Sequence, residues 1–190
     1  MVRPRVFALT MLIAVVANAT TAIAVDAPPP GTPGIDGHAR PAIDASGLDH
    51  VGMNVPDASE AAEFFHDLMG TRIVSDWSPA PVDAQWKKRF RWHASARLKR
   101  LMMIEARDGS KIELFEYASP AAAHKQPRED DAGATHIALR ANDPTRAIAA
   151  VRAMGLTILN DPVTLPDGSR WFYFLSPWGS QVELVFPSER

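Results

Sequence analysis

Two histidines and two glutamates stand at matching places in the two halves of this sequence. His50 and His136 each lie near the start of an apolar stretch, and Glu113 and Glu183 each lie inside a later one. Imidazole nitrogens and carboxylate oxygens together suit a borderline divalent ion such as Zn, Ni, Co, Mn or Fe(II). The sequence therefore predicts one divalent metal site that these four residues share, with room for water or substrate oxygens.

Alternation of residue types places the four candidate ligands on one face of their predicted strands. Successive side chains of a strand point to opposite faces, and apolar Ile112 and Leu114 flank Glu113. If the apolar face contacts helices, the ligands point into the concave side of the sheet. Charged carboxylates there cost free energy because they lose hydration, unless a cation compensates their charge. Glu116 is an alternative ligand to Glu113, but the alternation places it on the helix side, near a strand end where it should reach solvent.

The elements that position these residues follow the same order in both halves. Each half is predicted to run strand, helix and three further strands, with helices at residues 58–69 and 144–154. In the second half, residues 157–159 are predicted to form the strand after the helix. The fold class is α+β, with two tandem βαβββ modules that form a curved mixed sheet and carry helices on its convex face.

The predicted domain spans residues 46–187, with a first module at 46–118 and a second at 133–187. Residues 78–96 are rich in proline and aromatic residues and are predicted to be irregular. Two roles are open for their aromatic side chains, including Trp92: covering a pocket, or filling a small satellite core.

The amino-terminal residues have the pattern of a secretory signal peptide. Arg3 and Arg5 precede an apolar run, and Ala22 and Ala24 form a small-x-small cleavage site, so residues 1–24 are predicted to be removed. Residues 25–45 are rich in Pro, Gly and Ala, which is typical of a flexible linker. We expect an exported protein, periplasmic or secreted, that has no membrane segment after cleavage; an uncleaved amino-terminal anchor is the alternative.

Composition excludes several functional classes. The 190 residues include no cysteine, which excludes disulfides, thiolate ligands and a cysteine nucleophile. The formal net charge is −2 with no long block of like charge, so neither nucleic acid nor an anionic membrane is an expected partner. A small-molecule substrate is the expected partner.

Four short motifs resemble those of the vicinal oxygen chelate superfamily, also called the glyoxalase/bleomycin-resistance/dioxygenase family. They are residues 48–51 (Leu-Asp-His-Val), 111–114 (Lys-Ile-Glu-Leu), 135–139 (Thr-His-Ile-Ala-Leu) and 176–184, which include a Pro-x-Gly turn. The resemblance extends over the whole predicted domain. Ser176 departs from it, because many members carry Asp before that turn; the turn is structural, so the metal site is unaffected.

The resemblance implies a mechanism and roles for particular residues. Glyoxalase I enzymes carry His, Glu, His and Glu at the places of the four candidate ligands. A metal-chelated enediolate forms after proton abstraction alpha to a carbonyl, with Glu183 as the better candidate base and Glu113 acting on the opposite face. Asn54 and Arg140 share the ligand faces and are candidates to orient the substrate, with a structural role equally open.

The resemblance leaves the reaction open among several types. A glyoxalase I-like lyase or isomerase is the first expectation, although export would separate it from the main glutathione pool. Epimerases of the family often carry Gln where this chain has Glu113, and extradiol dioxygenases use two His and one Glu around Fe(II). A resistance-type protein that only binds a small molecule or a metal is the alternative outside catalysis. Whether the site forms in one chain or across a homodimer also stays open.

Overall fold

The first half of the chain folds into a four-stranded mixed sheet with two helices. Its strands are β1 (Val51–Val55), β2 (Arg72–Trp77), β3 (Arg97–Glu105) and β4 (Lys111–Ala118). Their order in the sheet is β1-β4-β3-β2, in which β1 runs parallel to β4 and the other neighbours are antiparallel. Helix α1 (Ala58–Met69) follows β1, and the short α2 (Ala84–Arg89) lies between β2 and β3.

The second half repeats this arrangement with one helix. Its strands are β5 (Ile137–Arg140), β6 (Val163–Thr164), β7 (Arg170–Leu175) and β8 (Gln181–Phe186), and α3 (Pro144–Ala153) follows β5. The order is β5-β8-β7-β6, again with one parallel pair, β5 and β8. The repeat confirms the predicted α+β fold with two tandem βαβββ modules.

The structure is a computed structural model that describes residues 43, 45–122 and 126–188. The predicted signal peptide and all of the predicted linker except residues 43 and 45 lie outside the described residues. The described residues from 47 onward form a unit of their own by their internal contacts. No helix in the described part of the chain is both long enough and apolar enough to cross a membrane.

Capping residues explain the bounds of α1. The side chain of Asp57 accepts hydrogen bonds from the backbone N–H groups of Ser59 and Glu60, at 2.8 and 3.0 Å. At the other end Gly70 has φ 72°, a left-handed conformation that glycine adopts without steric cost, and its N–H donates to the carbonyl of His66. Both helix ends agree with the sequence prediction.

The strand predicted at residues 157–159 is wrong. Ile158 forms only a single bridge with Phe174 of β7, and the edge strand of this sheet is β6, further along the chain. The side chain of Asn160 accepts a hydrogen bond from the N–H of Tyr173, at 2.8 Å. A side-chain acceptor thus takes the place of a backbone partner, which ends the ladder after one bridge.

Residues 78–96, predicted to be irregular, contain α2. Asp83 caps this helix by accepting a hydrogen bond from the N–H of Trp86, at 2.7 Å. The helix is only six residues long, so its apolar pattern is too short to identify from the sequence.

One hydrophobic core includes buried residues of both modules. Its largest fully buried side chains include Phe65 of α1, Leu114 of β4 and Phe172 of β7. Trp178, in the turn between β7 and β8, packs edge-on against Phe64 and Phe65 of α1, with ring centroids 5.3 and 6.0 Å apart. Along β4 and β8, buried core residues alternate with half-buried ones. Glu113 and Glu183 are among the half-buried residues.

Glu116 does not reach solvent, in contrast to the sequence prediction. It lies on the core side of β4, as the alternation predicts, but is only 4% exposed. Its carboxylate accepts from Nζ of Lys99 and from the N–H of Ala58 at the start of α1. A buried carboxylate is tolerated where charge and hydrogen bonds compensate its lost hydration, so Glu116 ties α1 to the sheet and is no ligand.

Candidate metal centre

The first module brings His50 and Glu113 together. His50 immediately precedes β1, and Gly52, two residues later, pairs with Glu113 in the parallel ladder between β1 and β4. Nε2 of His50 consequently lies 3.2 Å from Oε2 of Glu113. The His50 side chain is 36% exposed and that of Glu113 is 19% exposed, so both are open to an ion from solvent.

The second module repeats this pair in the same register. His136 precedes β5, and Ala138, two residues later, pairs with Glu183 of β8. Nε2 of His136 lies 3.3 Å from Oε2 of Glu183. A small residue thus lies beside each glutamate, and the same nitrogen faces the same carboxylate oxygen in both modules.

Each pair has the chemistry and the spacing of two ligands on one ion. A nitrogen and an oxygen bound at about 2.0–2.2 Å, at an angle of roughly 90–110°, are about 2.9–3.4 Å apart. The observed separations of 3.2 and 3.3 Å fall within that range. When the proton of a neutral imidazole is on Nδ1, the Nε2 lone pair faces the carboxylate oxygen, and a cation between these two atoms makes the contact favourable. The residues present therefore fit a divalent metal.

The two pairs do not form one four-residue cluster in a single chain. Among residues 43, 45–122 and 126–188, no three His, Cys, Asp or Glu side chains converge as a metal site would require. Each module thus provides two candidate ligands by itself.

A carboxylate lies on the far side of each imidazole. Nδ1 of His50 donates to Oδ1 of Asp49 at 2.7 Å, and Nδ1 of His136 lies 3.6 Å from Oε1 of Glu129. The hydrogen bond with Asp49 raises the pKa of His50, with a smaller contribution from Glu113, and burial opposes it. The same hydrogen bond lowers the pKa of Asp49, helped by Lys111.

Tyr173 is an aromatic residue beside the second pair. It pairs with Glu183 across β7 and β8, and its hydroxyl lies 3.2 Å from Nε2 of His136. Burial raises the pKa of Tyr173, and the negative charge of Glu183 raises it further. The phenol therefore stays protonated, and its O–H can donate a hydrogen bond beside both candidate ligands.

An aromatic row extends from Glu113 along the ligand face of β4. Phe115 stacks on Tyr117 with centroids 6.1 Å apart, and Trp92 meets Tyr117 edge-on at 5.0 Å. A Cβ atom at Gly52 would lie 3.3 Å from the Phe115 ring, so glycine there leaves room for it. Trp92 thus lies against this row, which begins two residues past Glu113 on the same face of β4.

Asn54 and Arg140 lie at the other ends of the strands that begin beside the histidines. Each is four residues past its histidine, which at about 3.3 Å per residue is about 13 Å along the strand. Both side chains are exposed. Arg140 acts electrostatically on Asp108, whose pKa is lowered chiefly by hydrogen bonds from Ser110 and less by Arg140.

Asp49, Glu129 and Tyr173 are not among the residues that the sequence patterns indicate. A signal for Asp49 was present, because a carboxylate adjacent to a candidate histidine can reach its Nδ1 atom. Tyr173 had a weaker signal, since alternation along β7 places it opposite the core residues Phe172 and Phe174. Glu129 had none, because only the folded chain brings it to His136.

Comparison with known proteins identifies the family. Residues 47–184 match the model of the Glyoxalase/Bleomycin resistance protein/Dioxygenase superfamily. The chain belongs to this superfamily, which is the vicinal oxygen chelate superfamily that its motifs resemble.

Individual relatives include an enzyme and several solved structures. A 2-epi-5-epi-valiolone epimerase from Actinomyces sp. is 32% identical over 154 residues, which cover 74% of this chain and 79% of that protein. A glyoxalase family protein from Bacillus cereus has a similar fold, with a TM-score of 0.64 and 19% identity over 80% of this chain and all of that one. The fosfomycin resistance protein FosX from Listeria monocytogenes has a TM-score of 0.51 and 17% identity in its complex with Mn(II) and sulfate, over 76% of this chain and 94% of that one.

Proposed function

We propose that this protein is a metal-dependent isomerase of the epimerase type. Its substrate is a small hydroxylated cyclic ketone of the kind named for the Actinomyces relative. The observation that carries the proposal is the repeated pair, His50 with Glu113 and His136 with Glu183, at nearly equal separations. A relative that is 32% identical and is an epimerase supports this reaction type.

Two glutamates of the chain carry out the two proton transfers. Glu183 takes the proton from the carbon alpha to the carbonyl, and the C–H electron pair moves toward the carbonyl oxygen to give an enolate. Glu113 returns a proton to the opposite face of that carbon, which inverts its configuration. When bound, a divalent ion supplies Lewis-acid stabilisation of the oxygen that gains negative charge. Mn(II) in FosX is an example from a protein of the same fold.

A second copy of the chain completes the site in this proposal. Strands β1 and β5 lie next to the candidate histidines, and in the part of the chain that the structure describes each pairs with only one strand. Val51 of β1 is 36% exposed. A twofold homodimer that places β1 of one chain beside β5 of the other would bring two pairs together at two equivalent sites.

Solvent-deuterium uptake tests the reaction type. The metal-reconstituted protein is incubated in D₂O with polyhydroxylated cyclic ketones, and the products are separated by stereochemistry. Deuterium at the carbon alpha to the carbonyl together with an inverted centre supports epimerisation. Metal binding without any deuterium uptake across such a panel would favour a binding protein.

A glyoxalase-type isomerisation is the second candidate, and Glu113 favours it. This chain carries a carboxylate where epimerases of the family often carry Gln. Both reactions begin with the same proton abstraction, so only the product separates them: an epimer in one case, and a rearranged hydroxy acid derivative in the other.

Export is part of the proposal as well. Arg3, Arg5, the apolar run after them and the small residues Ala22 and Ala24 support a cleaved signal peptide. Amino-terminal sequencing of the protein from its native host is expected to begin at Val25. A mature protein that begins at Met1 and stays in the cytoplasm would contradict this.

A further inference from the structure

Each candidate ligand histidine has carboxylates at both ring nitrogens. Nε2 of His50 faces Glu113, and its Nδ1 donates to Asp49 at 2.7 Å. Nζ of Lys111 lies 3.9 Å from the other oxygen of Asp49, which helps hold that carboxylate toward His50. In the second module, Nε2 of His136 faces Glu183, and its Nδ1 lies 3.6 Å from Glu129.

The two outer carboxylates come from unrelated places in the duplicated sequence. Asp49 is the residue immediately before His50, but the residue immediately before His136 is Thr135. Threonine carries no charge, and Glu129, from the segment that connects the modules, lies by His136 instead. A carboxylate on the Nδ1 side of each imidazole thus comes from two different sequence positions, hydrogen-bonded in the first module and 3.6 Å away in the second.

We propose that Asp49 and Glu129 are positioning residues that orient the two imidazoles toward the metal. The hydrogen bond made by one ring nitrogen determines which nitrogen of a neutral histidine is left to bind a metal. A proton held on Nδ1, by the hydrogen bond to Asp49 in the first module and by the charge of Glu129 at 3.6 Å in the second, leaves the Nε2 lone pair directed at the ion. The hydroxyl of Tyr173 lies 3.2 Å from Nε2 of His136 and can donate to that nitrogen when the ring proton is on Nδ1. This proposal rests on the metal-binding part of the proposed function and on none of its chemistry.

The tautomer of His50 in metal-free protein gives the first test. Imidazole ¹⁵N shifts are measured at alkaline pH, where the ring is neutral, for the wild type and for Asp49→Ala and Asp49→Asn. We expect the proton on Nδ1 in the wild type, a shift toward Nε2 in Asp49→Ala, and an intermediate result in Asp49→Asn, whose amide oxygen still accepts. A wild-type proton on Nε2 would overturn the proposal.

Metal affinity, measured by titration calorimetry with Zn²⁺ and Mn²⁺, gives the second test. Loss of a partner that orients a ligand typically weakens metal binding by about 10- to 100-fold. We expect a loss in this range for Asp49→Ala, a smaller one for Asp49→Asn, and a loss of severalfold for Glu129→Gln, whose carboxylate lies farther from its histidine. Glu63→Gln removes an exposed charge from α1 and is the matched control.

The two measurements separate failure of this proposal from failure of the proposed function. Unchanged metal affinity in Asp49→Ala, with the wild type binding metal, would overturn the positioning role and leave the metal site intact. A wild type that binds neither ion would instead contradict the proposed function. The tautomer measurement would then decide by itself whether Asp49 orients His50.

Discussion

The hydroxyl of Tyr173 lies 3.2 Å from Nε2 of His136, the same nitrogen that faces Glu183. A protonated phenol at this point can donate a hydrogen bond to a substrate oxygen that gains negative charge. Such a donor is worth about 10²–10³ in kcat where it is preorganised.

Tyr173→Phe is therefore expected to lower kcat by about 10²-fold. Its ring keeps the edge-on contact with Trp171 at 5.5 Å, so the fold and the metal affinity should change little. Steady-state kinetics with a metal titration measures both effects. Equal losses in metal affinity and in kcat would instead indicate that the hydroxyl supports the ligands and not the substrate.

Glu183→Gln is expected to retain metal and to lose proton exchange. The amide keeps an oxygen that can bind an ion, but it cannot accept a proton from carbon. Deuterium uptake into substrate, followed by NMR, should fall by at least about 10²-fold, in line with loss of a general base.

Glu113→Gln is the matched variant in the other module. It is expected to permit exchange without inversion, because removal of the proton by Glu183 does not require Glu113. Exchange at the wild-type rate in Glu183→Gln would exclude this residue as the base.

Trp178 is predicted to contribute to stability across the two modules, because it packs on Phe64 and Phe65. Removal of a buried aromatic side chain costs about 3–5 kcal/mol, and Trp178 is only partly buried, so Trp178→Ala should cost about 2–4 kcal/mol. Urea unfolding measures the free energy change.

Trp77→Ala, at an edge-strand position that is 47% exposed, is the control and should cost less than about 1 kcal/mol. A similar cost for both tryptophans would argue against the role of Trp178 as a contact between modules.

The fold could be predicted from the sequence because local signals and alternation agree along most of the chain. Asp57 and Gly70 fix the ends of α1 by capping, which depends only on neighbouring residues. Local signals could not exclude the strand predicted at residues 157–159. Its pairing with β7 stops because the N–H of Tyr173 donates to the side chain of Asn160.

The candidate site could be predicted only in part for a related reason. Alternation places Glu113 and Glu183 on the face away from the core, and the structure agrees. Glu116 follows the same rule, yet its burial depends on Lys99 and α1, which come from other parts of the chain. That the ligands form two pairs and not one cluster depends on how the modules pack, which no local pattern encodes.

In the proposed dimer, one ion is held by His50 and Glu113 of one chain and by His136 and Glu183 of the other. The most direct test combines two inactive variants, His50→Ala and His136→Ala, by mild denaturation and refolding together. In a twofold dimer with shared sites, each hybrid has one site that carries both substitutions and one with all four ligands. Random reassortment predicts that about a quarter of the sites bind metal and exchange substrate protons. No recovery of metal binding or exchange in a mixture shown by mass spectrometry to contain hybrids would contradict the claim.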